Sequence, residues 1–192
     1  MTLRKRTGAD MAICLTSARL TIRPLLPGDL QAFAQYRAMS EVALYQSWNE
    51  YSYQDACRLY ESVSGQPFAT PGHWFQLALV EHEAQTLIGD LAVFFADEQQ
   101  VEIGITLAPC FQGRGLGSEA VSTLLDYLFL ELKKHRVTAV TDVNNLACAR
   151  LLRRISFRQE AHFVDNIFFK GRWGSEYVYA MLASDWRHLR PG

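Results

Sequence analysis

The sequence predicts one domain of the mixed α/β class, and three observations support this. The chain has 192 residues, of which 49% are hydrophobic and 20% are charged, so it is long and apolar enough to bury a sizeable core. Some stretches alternate apolar and polar residues, as strands do, whereas others repeat apolar residues at helical spacing. The two kinds of stretch are interspersed, which favours parallel strand pairing wherever a helix crosses over.

The predicted order of elements is strand, two helices, three strands, helix, strand, helix and two strands. The predicted strands are residues 18–25, 73–81, 86–95, 101–107, 136–142, 157–163 and 176–183. The predicted helices are residues 27–39, 51–63, 118–134 and 144–155.

Polar residues at the expected helix starts support these boundaries. Asp29 is the expected N-cap of the first helix. Ser52 followed three residues later by Asp55 resembles a capping box at the start of the second. The last predicted helix has Asn144 or Asn145 as its cap.

The two ends of the chain are expected to lie outside the domain. Residues 1–16 are predicted to be a loose leader, with Met11 as an alternative start, followed by the domain at 17–187 and a tail at 188–192. The first apolar stretch is too short and interrupted for a secretion signal, and no apolar run is as long as a membrane span. A net charge of −1 gives no electrostatic case for nucleic acid. We therefore expect a cytoplasmic protein with neither membrane nor nucleic-acid partners.

Cysteine and histidine are dispersed along the chain, so no metal site is expected. The cysteines, Cys14, Cys57, Cys110 and Cys148, form no CxxC pair, and the five histidines are scattered. Neither a zinc site nor a disulfide framework is indicated. A reducing compartment is the default for such a chain.

The segment QGRGLGSEA, residues 112–120, places three glycines at alternate positions between a predicted strand and a predicted helix. Free N–H groups of such a loop, together with the partial positive charge of the helix start, form an anion site that glycine lets a phosphate approach closely. The alternative is a tight turn that needs glycine only for positive φ. No lysine follows the glycines as in a Walker loop, and the spacing is not the GxGxxG of a dinucleotide fold.

This run, Gln112-Gly-Arg-Gly-Leu-Gly117, resembles the acetyl-CoA loop of the GNAT N-acetyltransferases. The later block VTDVNNLACARLLRRISF resembles a second motif of that family. The ending KGRWGSEYVYAMLASDW is similar to the subgroup that includes ribosomal-protein N-terminal acetyltransferases. The resemblance covers residues 17–187 and is strongest in the central loop.

The resemblance implies a GNAT fold, which is a mostly antiparallel sheet flanked by helices, with a central parallel splay that admits the cofactor. It implies transfer of an acetyl group from acetyl-CoA to a primary amine, either a protein α-amine or a small amine, by direct attack and without a metal. A homodimer is left open.

The residues that the resemblance assigns to acetyl-CoA fall on three elements. The strand end Ile105, Thr106 and Leu107 would pair its backbone with the pantetheine amides. Asn145 would help to hold the CoA arm, or only cap its helix. The loop would bind the pyrophosphate through backbone N–H groups, and its arginine would add charge at the rim. The loop residues are Gln112, Gly113, Arg114, Gly115, Leu116, Gly117 and Ser118.

The chain departs from the family pattern at three positions. Cys148 stands where the family has serine, Ser156 where it has glycine, and Ser175 where it often has aspartate. The first change affects the usual contact between the acid and CoA. The second needs a backbone position that tolerates a side chain, and the third implies an altered substrate pocket.

Two residues are the expected catalytic groups. Glu102 is the candidate base for the amine, directly or through water, because strand alternation sets it on the face opposite Val101 and Ile103. Its alternative role is a rim carboxylate that orders water or an arginine. Cys148 is the candidate acid, since a thiol can protonate a thiolate of similar basicity. Its alternative role is that of a small packing residue.

The acceptor site and the wider function are less defined by the sequence. Two histidines, His73 and His162, are the next candidates for the base. A set of aromatic residues would line an amine or peptide cleft, or else belong to the core. They are Trp48, Tyr51, Trp74, Phe94, Phe95, Phe168 and Trp173. Two other functions stay open, namely a GNAT-fold module that holds CoA without turnover and a nucleotide-binding protein that uses the same loop.

Overall fold

The computed structural model of the protein describes residues 13–190, which form an eight-stranded sheet. The strand order is β1-β2-β3-β4-β5-β6-β8-β7, and within the described residues every neighbouring pair is antiparallel except β5 and β6. The strands are β1 (Leu15–Thr16), β2 (Leu20–Pro24), β3 (His73–Glu81), β4 (Thr86–Phe95), β5 (Gln100–Leu107), β6 (Arg136–Asp142), β7 (Arg158–Phe169) and β8 (Arg172–Leu182). The predicted mixed, mostly antiparallel class is confirmed.

Six α-helices are formed by the described residues. They are α1 (Leu30–Arg37), α2 (Ser40–Ala43), α3 (Tyr53–Val63), α4 (Leu116–Asp126), α5 (Leu146–Arg154) and α6 (Ala183–Leu189). A π-helical turn at Tyr127–Glu131 continues α4, and a 3₁₀ turn at Pro109–Phe111 joins β5 to the glycine loop. No helix in the described part of the chain is both long and apolar enough to cross a lipid bilayer.

The sheet buries apolar side chains on both faces. The larger cluster includes Val101 and Ile103 of β5 and the apolar stripe of α4, of which Val121 and Leu124 are fully buried. A second cluster joins Phe33 of α1 and Ala56 of α3 to the opposite face. Alternate residues of each central strand therefore face different helices.

The parallel pair β5–β6 separates along its length. Pairing joins Gln100, Val101 and Glu102 to residues 136–138 and goes no further, although β5 runs to Leu107 and β6 runs to Asp142. On its other side, β5 pairs with β4 all the way to Leu107. The edge of β5 that faces β6 is thus without a strand partner beyond Glu102, which leaves backbone groups for a ligand.

Helix starts agree with the sequence in two places and differ in two. The Ser52 and Asp55 capping box is formed, and Asn145 caps α5. Asp29, in contrast, makes no side-chain cap to α1, because its carboxylate accepts from the N–H of Leu26 and pairs with Arg23. Helix α4 begins at Leu116 and not at residue 118, since the left-handed backbone of the preceding glycine turns the chain directly into the helix.

Several elements extend beyond the predicted ones. Strands β7 and β8 run past the predicted strand ends at residues 163 and 176 and form a hairpin that closes in a tight turn at Lys170 and Gly171. The short elements β1, α2 and α6 were not predicted. Leu15 and Thr16, within the expected leader, pair with β2, and Ile13 is buried in the core. Residues 1–12 and 191–192, including the alternative start, lie outside the described residues.

Candidate functional site

Two cavities meet where β5 and β6 separate. The loop cleft, of about 440 Å³, runs along the glycine loop and α5. The splay cavity, of about 280 Å³, lies between the diverging strands. Both are lined by the same six residues, which we call the junction: Tyr45, Gln46, Ile105, Thr106, Asn145 and Cys148. A ligand in the loop cleft can therefore contact a ligand in the splay cavity at the junction.

The glycine loop has the backbone that an anion site requires. Gly113 and Gly115 have φ of +72° and +78°, a conformation that L-residues with side chains rarely adopt. The first bond within α4 runs from the N–H of Glu119 to the carbonyl of Gly115. The N–H groups of residues 116–118 precede it and have no partner within the helix. These donors and the helix dipole face the loop cleft, which suits an anion.

Gly117 serves a packing role in addition. A Cβ at this position would lie 2.7 Å from Cδ1 of Leu151 on α5 and 3.3 Å from Cδ1 of Leu107. Glycine at position 117 thus lets α4 approach α5 and the end of β5 closely. The three glycines of the loop are required for different reasons, two for backbone conformation and one for space.

The structure brings together nearly all the residues assigned to acetyl-CoA by resemblance. Ile105, Thr106, Leu107, Gln112, Gly113, Gly115, Leu116, Gly117, Ser118 and Asn145 line the loop cleft. Arg114 does not line it, because its guanidinium turns away and pairs with Glu81 at 2.9 Å. The expectation that Arg114 adds charge at the rim is therefore not met by its side chain. Gln112 donates from Nε2 to the carbonyl of Leu107 at 3.0 Å and ties the loop to the strand end.

Positive charge at the loop cleft comes instead from α5. Arg150 and Arg154 line the cleft, and neither makes an ion pair within residues 13–190. Sequence reasoning missed both, although their spacing of four residues on a predicted helix was a usable signal. The donors of the cleft, backbone N–H groups and two guanidinium groups, fit a ligand that carries phosphates.

Asn145 and Cys148 occupy the first turn of α5 at the junction. The Asn145 Oδ1 atom accepts from the N–H of Cys148 at 3.1 Å, so the asparagine caps the helix and lines both cavities at once. Burial raises the pKa of the Cys148 thiol, and a hydrogen bond with Thr141 offsets this only in part. The thiol is consequently protonated at neutral pH.

Glu102 lies beside the site and lines neither cavity. It is the last β5 residue to pair with β6, and it shares a face of the strand with Gly104 and Thr106, which do line the splay cavity. The side chain is half-buried, and burial followed by the nearby charge of Glu176 raises its pKa above the usual value. A raised carboxyl pKa suits proton exchange near neutral pH.

The splay cavity has an acidic wall that sequence reasoning missed. Asp142 of β6 and Glu176 of β8 are paired in register, and both line the cavity. Neither makes an ion pair with a described arginine, lysine or histidine. Asn144 and Asn166 donate to the two carboxylates. The wall thus carries two carboxylates without a counter-ion among the described residues, and it can be recognised only when the strand register is known.

The opposite side of the splay cavity carries a buried charge network. Asp90, which is 1% exposed, accepts hydrogen bonds from Tyr36 and Gln76 and pairs with Arg37 at 2.9 Å. Burial and the Asp90 carboxylate raise the pKa of Tyr36, so the phenol remains a donor. Because Arg37 neutralises Asp90, the acidic wall sets the sign of charge in the cavity.

The aromatic residues expected around the acceptor serve other purposes. Trp48 and Tyr51 pack on the guanidinium of Arg37, and Phe95 is buried in the core. None of the seven lines either cavity, and neither do the two histidines. His73 is exposed beside Pro71, and His162 packs against Tyr177. Within residues 13–190 no group of three or more possible metal ligands occurs.

Comparison with known proteins agrees with this geometry. The family model described as "Acetyltransferase (GNAT) domain" matches residues 19–158, which is most of the chain. The chain belongs to the GNAT acetyltransferase family. The solved structure of a GNAT-family acetyltransferase from Bacillus anthracis superposes with a TM-score of 0.80 at 25% identity, covering 90% of this chain and 99% of the other.

GNAT relatives in sequence include proteins with different acceptors. An uncharacterized N-acetyltransferase of Bacillus subtilis is 28% identical over 90% of this chain and 98% of its own length. A spermidine N(1)-acetyltransferase of Vibrio cholerae is 27% identical over 82% of this chain and 89% of its own. An Escherichia coli N-acetyltransferase named for the alanine of ribosomal protein uS5 is 27% identical, but only over 44% and 43% of the two chains. The expected ribosomal-protein subgroup is therefore only weakly supported.

Proposed function

We propose that this GNAT protein transfers an acetyl group from acetyl-CoA to a primary amine by direct attack at the junction. The observation that carries the proposal is that a phosphate-suited cleft and an acidic cavity share six lining residues. Proximity of two bound reactants is itself a large part of catalysis, because it removes the entropic barrier of bringing them together.

Acetyl-CoA fits the loop cleft through the groups already described. Backbone N–H groups of residues 113–118 and the guanidinium groups of Arg150 and Arg154 would hold its phosphates. The unpaired edge of β5 at residues 105–107 would bind the pantetheine amides. Asn145 would contact the pantetheine arm of CoA. Bound there, acetyl-CoA supplies an activated acyl group. The chain itself supplies orientation and an entrance for the amine from the other side of the junction.

The acceptor is proposed to be a cationic amine that enters the splay cavity. A lysine-type amine has a pKa of about 10.4, so it is charged at neutral pH. Asp142 and Glu176 would attract the charge, and Asp90 would not, because Arg37 neutralises it. Like charges facing each other across two strands are destabilising, and binding a cation between them relieves that repulsion.

The amine must lose a proton before it attacks. We propose that Glu102 accepts it through water at the rim of the cavity, since the residue shares a strand face with the lining residues Gly104 and Thr106. Its pKa, raised by burial, brings the carboxyl closer to the working pH. Cys148 is a protonated thiol at the junction and is the proposed proton donor to the leaving thiolate.

Small polyamines and protein N-termini are the two acceptor classes to compare. The acidic wall favours a small polycation, and the Vibrio cholerae relative that covers most of this chain is named for spermidine. Changes at Cys148 and Ser175 favour the second candidate function, a module that holds CoA without turnover.

The test measures release of free CoA thiol from acetyl-CoA with a panel of amines: spermidine, n-butylamine, lysine and a peptide that begins with alanine. We expect turnover with at least one amine, and highest kcat/KM with spermidine. Binding of CoA without turnover of any amine would support the non-catalytic module, and absence of CoA binding would contradict both.

A further inference from the structure

The residues Ser40–Gln46, which we call the strap, comprise α2 and the three residues after it. The strap is tied to the C-terminal half of the chain by two hydrogen bonds. The Tyr45 hydroxyl donates to the backbone carbonyl of Asn144 at 3.0 Å, and Nζ of Lys170 donates to the carbonyl of Ala43 at 2.6 Å. One bond reaches the β6–α5 turn and the other reaches the tip of the β7–β8 hairpin. The strap therefore spans the junction and is held from both sides.

Tyr45 is the strap residue whose chemistry matters most at the junction. A phenol hydroxyl has one proton to donate and lone pairs with which to accept. The Asn144 carbonyl, which is an acceptor only, takes the proton. The Tyr45 oxygen can consequently only accept from a ligand while this bond is kept. It is thus suited to a ligand with an N–H group and not to one that offers lone pairs alone.

Two neighbouring polar groups at the junction are already engaged. Asn145 uses its Oδ1 atom for the N–H of Cys148, and the thiol of Cys148 is buried against Thr141. Tyr45 is half-buried and also lines both cavities, and its oxygen keeps a lone pair while its proton is donated to Asn144. An amine arriving along the acidic wall would meet the Tyr45 side chain where the two cavities join.

We propose that Tyr45 determines acceptor specificity by accepting a hydrogen bond from an N–H of the amine and thereby orienting it at the junction. This inference rests on the proposed function, because it assigns a role toward the amine of that reaction. The residue acts by positioning, and no proton or electron is transferred to or from it.

The experiment compares two probes that carry the same charge. n-Butylamine has N–H donors when protonated, whereas n-butyltrimethylammonium has none. Each is titrated calorimetrically into the protein saturated with CoA, for the parent and for Tyr45→Phe. We expect the parent to prefer n-butylamine, and Tyr45→Phe to reduce that preference by about tenfold or more, since tenfold is the lower end of the range for one hydrogen bond to a charged group. Affinity for CoA should stay within about twofold, because the phenyl ring is retained and only the hydroxyl is lost.

Lys170→Met is the matched control, since it releases the second tie of the strap and removes no group from either cavity. It should leave the preference between the probes unchanged. An equal loss of preference in Lys170→Met would mean that the position of the strap matters and the Tyr45 hydroxyl does not, which would overturn the proposal. So would an unchanged preference in a Tyr45→Phe protein that binds CoA normally.

Kinetics distinguish this inference from the proposed function. If the parent turns over the panel amines and Tyr45→Phe has the same kcat/KM for them, the role of Tyr45 is wrong and the function stands. If the parent binds CoA but turns over no amine, the proposed function fails, and the role of Tyr45 fails with it.

Discussion

Asp142 and Glu176 stand opposite each other in the register of β6 and β8, and both carboxylates face the splay cavity. Two like charges in this arrangement repel, which reduces the stability of the strand pair. No described cation relieves the repulsion, since Asn144 and Asn166 supply only neutral donors. A bound cation would relieve this repulsion and stabilise the site. This is the physical reason for proposing a cationic amine as the acceptor.

Glu176→Gln should therefore weaken acceptor binding without lowering the stability of the fold. Removing one of the two facing charges should leave the melting temperature unchanged or raise it. It should raise KM for spermidine about fivefold to tenfold, because one charged hydrogen-bond partner is lost, with little change in kcat. Thermal melts and steady-state kinetics at fixed acetyl-CoA concentration measure the two effects.

Glu160→Gln is the control for that variant. Glu160 pairs with Arg136 and Arg158, and these two guanidinium groups lower the pKa of its carboxyl to about 2. Its substitution should lower stability and leave KM for spermidine unchanged. An unaltered KM in Glu176→Gln would show that the acidic wall does not contact the acceptor.

Gly115→Glu should abolish CoA binding. The side chain would be forced into a left-handed backbone, with its Cβ 3.6 Å from the Arg19 guanidinium, and it would add a negative charge beside the cleft that is proposed to hold phosphates. The loss is expected to exceed a hundredfold in Kd, measured by calorimetry with CoA, since like-charge repulsion adds to steric exclusion.

Gly171→Glu provides a matched control, because Gly171 also has φ of +78°, has open space around its Cα and lies in the β7–β8 turn. Both variants should lose about 1 kcal/mol of stability through backbone strain. Only the change at Gly115 should affect CoA. Equal CoA affinity in the two folded variants would contradict the assignment of the loop.

The sequence predicted the parts of the fold that depend on local patterns. Ser52 and Asp55 form the expected cap, and the glycine loop connects a strand to a helix as expected, because these features need only a few consecutive residues. Asp29 occupies the predicted N-cap position of α1, but its side chain makes no cap because its partner, Arg23, lies on the preceding strand. The short elements β1 and α2 carry too few residues for a periodic signal.

The candidate site was predictable where short motifs supply it. The cleft-lining residues between 105 and 118 are close in sequence, and Asn145 and Cys148 lie in a single helical turn. The acidic wall requires knowledge that Asp142 pairs with Glu176, and the buried pair of Arg37 and Asp90 joins a helix to a strand. Arg114 shows the converse, since a charged residue inside the right motif turned toward a neighbouring strand. Tertiary pairing of this kind leaves no mark in a single sequence.

Cys148→Ala distinguishes an acid from a packing residue. If the thiol donates a proton, the variant should lose on the order of a hundredfold in kcat with little change in CoA affinity, and Cys148→Ser should be partly active. If the thiol only packs, the variant should lose about 1 kcal/mol of stability and keep its turnover per folded molecule. Burial raises the pKa of the thiol, so rapid alkylation of native Cys148 by iodoacetamide at pH 7 is not expected.

Glu102→Gln tests the proposed base through both stability and rate. Because burial and Glu176 raise the pKa of Glu102 in the folded state, folding favours its protonated form. The resulting stabilisation is fully present below the unfolded pKa, which is about 4.3 for glutamate, and is lost as pH rises through the folded value. Glutamine cannot ionise, so Glu102→Gln should gain stability relative to the parent as pH rises from about 4 to 7. Chemical unfolding at several pH values measures this gain.

The pH dependence of kcat/KM in Glu102→Gln should distinguish loss of a base from loss of packing. Loss of a base leaves only the fraction of acceptor that is already neutral, and this fraction increases with pH toward the amine pKa of about 10.4. Glu102→Gln should therefore keep its CoA affinity, show reduced kcat/KM for spermidine at pH 7, and recover part of the difference by about pH 9.

Glu98→Gln is a suitable control, because Glu98 is exposed and lines neither cavity. A defect that stays constant across this range would indicate a structural role for Glu102. The base would then be sought at the acidic wall, where Glu176 lies within reach of the Glu102 charge and already lines the cavity.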